Sequence, residues 1–157
     1  MKFDFSNKTA IVTGGTRGIG KGIVEYLQEL GCNVIYTGTK HKNVEATNQG
    51  IYAQLDLADD ESIAKFIQEV VETLPRVDIL VNNAGITALA EVDQLKDEDW
   101  ERVIKVNLTG PMRMTSAVAK IMKRGNYGGK ILNIASIWGV ISKTKRGAYS
   151  ASKTGLI

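Results

Sequence analysis

The run Thr9-Ala10-Ile11-Val12-Thr13 passes directly into Gly14-Gly15-Thr16-Arg17-Gly18-Ile19-Gly20, after which Ile19, Ile23, Leu27 and Leu30 recur at helical spacing up to Gly31. A short apolar run bounded by a glycine turn reads as a buried strand, and the spacing behind it reads as one face of a helix. A strand that turns at once into a helix is brought back by that helix. Its next strand then lies parallel to it, so the sheet must be covered on both faces.

The rest of the chain repeats the alternation. Asn33-Val34-Ile35-Tyr36-Thr37 reads as a second strand and Ile51 to Leu55 as a third, leading into Asp56. Asp59 caps a helix with Ile63, Phe66, Ile67, Val70, Val71 and Leu74 on one face, and Pro75 ends it. Val77 to Val81 is a fourth strand, followed by Asn82-Asn83-Ala84-Gly85. A long helix after Asp97 places Trp100, Val103, Ile104, Leu108, Met112, Thr115, Val118 and Met122 inward, with a kink expected at Pro111. Lys130 to Ser136 is a fifth strand. The expectation is an α/β fold with a doubly wound parallel sheet.

Bulk properties narrow the function. A net charge of +3 without a basic block argues against a nucleic-acid partner. Cys32 and His41 are the single cysteine and histidine, so no disulfide forms within the chain and no His/Cys metal cluster is expected. No apolar span is long enough for a membrane helix, and a cytoplasmic location is expected.

Gly14, Gly18 and Gly20 give a backbone room to approach a pyrophosphate at a helix N-terminus. At the end of strand two, where an acid would hold an adenosine ribose, the chain has Gly38. Arg17, Lys40 and Lys42 are candidate holders of a 2′-phosphate, so NADP(H) is the expected cofactor. Tyr149 and Lys153 are four apart, hence on one face of a helix. A free tyrosine titrates near about 10, and a neighbouring ammonium favours the phenolate. Ser136 at a strand's carboxyl end is the candidate for holding a carbonyl oxygen, with Ser142, Ser150 and Ser152 as rivals by residue type. Asn107 is polar in an apolar stripe, and its spacing alone fits a satisfied core amide. The cluster Lys143, Lys145 and Arg146 reads as solvated surface or as a contact for an anionic substrate or carrier.

Together these motifs resemble the short-chain dehydrogenase/reductase family over the whole chain, and among its members the 3-oxoacyl-acyl-carrier-protein reductases. The resemblance implies a Rossmann-type sheet of order 3-2-1-4-5 and a single NAD(P)-binding domain over 1–157. It implies an NADP-dependent oxidoreductase of fatty acid biosynthesis that reduces a ketone to an alcohol. Tyr149 would donate the proton, Lys153 would bind the nicotinamide ribose, Ser136 would orient the substrate and Asn107 would support a water. Gly14, Thr16, Arg17, Gly18, Ile19, Gly20, Thr39, Lys40, Asp56, Leu57, Asn83, Ala84 and Gly85, with Tyr149 and Lys153, would contact the cofactor, and no metal is implied. The substrate would be a small carbonyl compound, free or carried on acyl-carrier protein. The complete protein would be a homo-tetramer or homo-dimer. The chain closes at Thr154-Gly155-Leu156-Ile157 in mid-helix. The domain is therefore expected to be truncated after the fifth strand and the start of the next helix. An inactive nucleotide-binding remnant is the alternative.

Overall fold

The computed structural model describes residues 3–40, 46–47 and 50–157. Strand β1 (Thr9–Val12) lies at the centre of the sheet. It pairs in parallel with β2 (Asn33–Gly38) on one side and with β4 (Ile79–Asn82) on the other. β3 (Gly50–Gln54) extends the sheet beyond β2, and β5 (Lys130–Asn133) extends it beyond β4. The parallel order is 3-2-1-4-5, as expected, and the two-residue strand Ala46–Thr47 adds an antiparallel stub outside β3. The third, fourth and fifth strands differ from the sequence reading by one to three residues at their ends, where hydrogen bonding rather than hydrophobic pattern decides the boundary.

Side chains of β1 alternate between two cores. Ala10 and Val12 meet Val24 and Leu27 of α1 (Gly18–Glu29). Ile11 joins the other core with Leu80, with Ile63 and Phe66 of α2 (Asp60–Phe66), and with Met114 and Val118. β5 is the exposed edge, with Ile131 and Leu132 partly open to solvent. Among the described residues no helix is long and apolar enough to cross a membrane.

The long helix after Asp97 is three pieces end to end: α3 (Asp97–Ile104), a π turn over Lys105–Thr109, and α4 (Gly110–Gly125). Pro111 has no N–H to give and, in a straight helix, its ring would collide with the carbonyl four residues back. The π turn moves the irregularity upstream and leaves Pro111 in the first turn of α4, where the missing N–H is harmless. The extra residue in the turn also shifts the helical phase. Trp100 and Met112, expected inside, are 42% and 57% exposed, while Met114, Val118 and Ile121 are buried.

Asp78 fastens the lower end of the sheet, away from the strand ends that carry the motifs. Its carboxylate accepts from the Thr9 N–H at 3.0 Å and from the Arg76 guanidinium at 2.8 and 2.6 Å, with Lys8 at 3.3 Å. Burial pushes this carboxyl up, but the Arg76, Thr9 and Lys8 contacts outweigh it and hold it below its ordinary value. A depressed folded value means that ionised Asp78 stabilises the fold above the unfolded value, near about 3.9, and stops doing so as the pH falls through the folded value. Asp78→Asn should therefore cost about 1.5–3 kcal/mol at neutral pH, the range for a hydrogen bond to a charged group. Urea unfolding from pH 7 downward should show the gap between the two proteins closing below about pH 4.

Candidate active site

The carboxyl ends of β1, β2 and β4 open on a cleft of about 450 Å³. Its floor is the glycine turn. Gly14 and Gly18 have φ of +66° and +55°, which side chains other than glycine rarely adopt. A Cβ on Gly20 would lie 2.2 Å from the Gly14 carbonyl oxygen and 2.4 Å from the Asn83 amide nitrogen, so the turn closes only on glycine. Arg17 stands at the N-cap of α1 and does not cap it with its own side chain. The first residues of α1, Gly18 to Gly20, line the cleft, so the positive end of the helix faces it and favours an anion there. These features fit a dinucleotide pyrophosphate.

Most residues expected to hold a cofactor line this cleft: Gly14, Thr16, Arg17, Gly18, Ile19 and Gly20 from the turn, Thr39 after β2, and Asp56 and Leu57 after β3. Asn83, Ala84 and Gly85 close it from the β4 side. Lys40 is exposed and does not line it, and Lys42 and His41 lie outside the described residues. The Asn83 amide is committed to the turn itself, donating to the carbonyls of Thr13 at 2.9 Å and Gly14 at 3.1 Å. Sequence reasoning missed Arg102, a second guanidinium lining the cleft from α3. Its exposed helical position gave no signal. A larger trough of about 690 Å³ lies on the α1 side, between Phe5, Ile23, Leu132 and Ile134. It is a largely apolar, uncovered sheet face whose charged residues, Lys8, Asp78 and Lys130, sit at the amino ends of the strands, so the smaller cleft at the carboxyl ends is the candidate site.

Beyond Gly85 the cleft meets the helix that carries the tyrosine, α5 (Gly147–Leu156). A Cβ on Gly85 would stand 3.4 Å from Asn107 Oδ1 and 3.6 Å from Lys153 Nζ. Lys153 is buried, and its Nζ donates to the Ile134 carbonyl at 2.7 Å and lies 5.8 Å from the centre of the Tyr149 ring. Burial pushes its ammonium below the ordinary lysine value. Asn107, in the π turn, is fully buried. It accepts from the Ile86 N–H and donates to the Ile86 carbonyl, both at 2.9 Å, and donates to Ser152 Oγ at 3.0 Å. Ser152 in turn donates to the Tyr149 carbonyl at 2.7 Å. Ile86 and Ser152 therefore join the cluster as supports. Ser152 was among the candidates by residue type, whereas nothing in the sequence singled out Ile86.

Ser136 lies beyond β5 rather than within it, at the N-cap of the short turn Ile137–Gly139, where its Oγ accepts from the Trp138 N–H at 3.2 Å. That loop is fastened to α5: Thr154 Oγ1 donates to the Gly139 carbonyl at 2.8 Å, and Ser142 Oγ to Ser150 Oγ at 3.1 Å. Ser150 and Ser152 are buried with their hydroxyls engaged inside the protein, and Ser136 is half-buried. Lys145, at φ +65°, pairs with Glu91 at 3.8 Å, and Arg146 stacks on Trp138 at 5.6 Å.

A family model described as short chain dehydrogenase matches residues 8–157. The chain is 37% identical to a 3-oxoacyl-(acyl-carrier-protein) reductase FabG of Aquifex aeolicus, covering 100% of this chain and 66% of that protein. It is 36% identical to the protein of the same name from Escherichia coli, covering 98% and 65%. An NAD-dependent glycerol dehydrogenase of Listeria innocua is 34% identical, covering 99% and 63%. The chain thus spans just under two thirds of the length of these curated relatives. Among solved structures, a metagenomic short-chain oxidoreductase in complex with NADP superposes with a TM-score of 0.86 at 34% identity, covering 97% of this chain and 72% of that one. The chain belongs to the short chain dehydrogenase family.

The glycine turn makes a paired prediction. Gly20→Ala should lower stability by about 1–3 kcal/mol, the range for overpacking, and abolish dinucleotide binding. Gly22→Ala, whose Cβ would meet nothing within 4 Å, should instead stabilise α1 by about 0.5–1 kcal/mol. Thermal melts and fluorescence titration with NADPH measure both.

Proposed function

We propose that this chain binds NADP(H) in the cleft and belongs to a reductase that converts a ketone, a 3-oxoacyl thioester or similar, to an alcohol. The carrying observation is that the far end of the glycine-turn cleft, at Gly85, abuts both Asn107 and Lys153 beside Tyr149. The cleft would hold a dinucleotide with its nicotinamide end toward Gly85, and that group would supply the hydride for the carbonyl carbon.

The chain's own residues handle the proton and the oxygen. Tyr149 gives its hydroxyl proton to the carbonyl oxygen as that oxygen gains charge. Ser136, fixed on its loop, holds the same oxygen with the proton left free by its backbone contact. Lys153 contributes a cation beside the proton donor and would hold the nicotinamide ribose. Because it is buried, its charge acts through a poorly screened medium. Asn107 holds the π turn against Ile86 and α5. Acyl-carrier protein is the carrier suggested by the names of the FabG relatives.

The cofactor reading rests on Gly38 standing where an acid would favour NAD, and on Arg17 in the cleft. The similarity to a relative named as an NAD-dependent glycerol dehydrogenase supports the opposite choice at comparable identity. Side-by-side titrations of the full-length protein should show NADPH binding at least about tenfold tighter than NADH, the size of one charge-assisted phosphate contact. Equal or tighter NADH binding would remove this reading.

Tyr149→Phe should reduce ketone-dependent NADPH oxidation at least about 10²–10⁴-fold, with NADPH affinity nearly unchanged. Near-full turnover by that variant would mean that another group donates the proton.

A further inference from the structure

We propose that Tyr52, assisted by Gln54, is a positioning residue for cofactor choice: it holds the backbone after β2 so that its carbonyls face β3 and its Thr39 side faces the cleft. The inference rests on the reading above that this cleft takes a dinucleotide.

Tyr52 lies on β3 and is 3% exposed, its ring set edge-on against Tyr36 with centroids 5.6 Å apart. Its hydroxyl reaches the Gly38 carbonyl at 3.0 Å and also the Lys40 carbonyl. Gln54 donates to the carbonyl between them, that of Thr39, at 3.2 Å. The Leu55 N–H adds a second bond to the Gly38 carbonyl at 2.9 Å. Three successive carbonyls are thus committed to β3. Carbonyl oxygens are acceptors and repel a phosphate, so their direction decides how an anion meets this loop. With them turned to β3, Thr39 lines the cleft together with Arg17, where an adenosine phosphate would sit. Burial first, and then Tyr36, push the phenol's pKa up from its ordinary value.

Tyr52 also guards the position that would change the preference. A Cβ on Gly38 would lie 2.7 Å from Thr16 Cγ2 and 3.3 Å from the Tyr52 hydroxyl. An acidic side chain there, which would favour NAD, is crowded by both.

The test is fluorescence titration of the full-length protein with NADPH and with NADH, for wild type, Tyr52→Phe and Gln54→Met, with a thermal melt of each. Tyr52→Phe keeps the buried ring and removes only the hydroxyl. It should weaken NADPH binding about fivefold, the net contribution of one neutral hydrogen bond, and leave NADH binding unchanged. Gln54→Met, at an exposed position, should shift the ratio in the same direction by less and cannot unfold the core. Should Tyr52→Phe fail to fold, Gln54→Met alone carries the test. An NADPH-to-NADH ratio that stays at the wild-type value, or both affinities falling in proportion, overturns the positioning role. A wild-type ratio at or below one overturns the cofactor reading instead, whichever way the variants move it.

Discussion

Thr13 Oγ1 receives the N–H groups of both Asn83 and Ala84 at 3.1 Å, while the Asn83 amide returns two bonds to the carbonyls of Thr13 and Gly14. This clasp joins the ends of β1 and β4, and Thr13 is 1% exposed within it. It brings the glycine turn so near the loop after β4 that a Cβ on Gly14 would stand 2.9 Å from Ala84 Cα. The cleft is the space left above that contact. Its width is set by two strands that pair through one neighbouring register, so the binding surface inherits the rigidity of the sheet.

A second joint sets the other end of the site. Burying an amide without partners costs about 1–3 kcal/mol or more, and Asn107 is buried completely. It is tolerated because Ile86 and Ser152 satisfy it, and those same bonds connect the π turn, the loop after β4 and α5. The π turn lies just ahead of Pro111, so one helix irregularity both accommodates the proline and sets Asn107 against the loop. Asn82, one strand residue away from the clasp, shows what a partial solution looks like. Its amide nitrogen bonds Thr115 and Asn133, but its Oδ1 is buried with no partner among the described residues.

The alternation of strands and helices, the sheet order and the glycine turn were legible because each leaves a local pattern: a short apolar run, a 3.6-residue period, glycine where a side chain has no space. The inner face of the long helix was legible only in part. A period read through residues 105–109 assumes a uniform helix, and the π turn broke that assumption for Met112, whereas Trp100 lies upstream of it in the exposed first turns of α3. The strand ends carrying Ser136 and Asp78 were misjudged because apolar pattern continues past the last paired residue. Site residues fared by the same rule. Tyr149 and Lys153 share a face by spacing alone. Ile86 takes part through its backbone, which no side-chain pattern advertises. Arg102 and Tyr52 act across long sequence separations. Lys40 was read from charge, but charge does not tell which way an exposed loop residue points.

The corner where cofactor choice would be decided lies where the chain leaves β2. Between β2 and β3 the described residues are 39–40 and the antiparallel stub Ala46–Thr47. The carbonyls of Gly38, Thr39 and Lys40 take partners from β3 and the residue after it, in the Tyr52 hydroxyl, the Gln54 amide and the Leu55 N–H. Tyr52 therefore meets a structural need of the backbone that leaves β2. In doing so it fixes the direction of the backbone that an adenosine phosphate would meet. A residue chosen for one reason constrains the other, so the path of this loop and the chemistry at its tip change together.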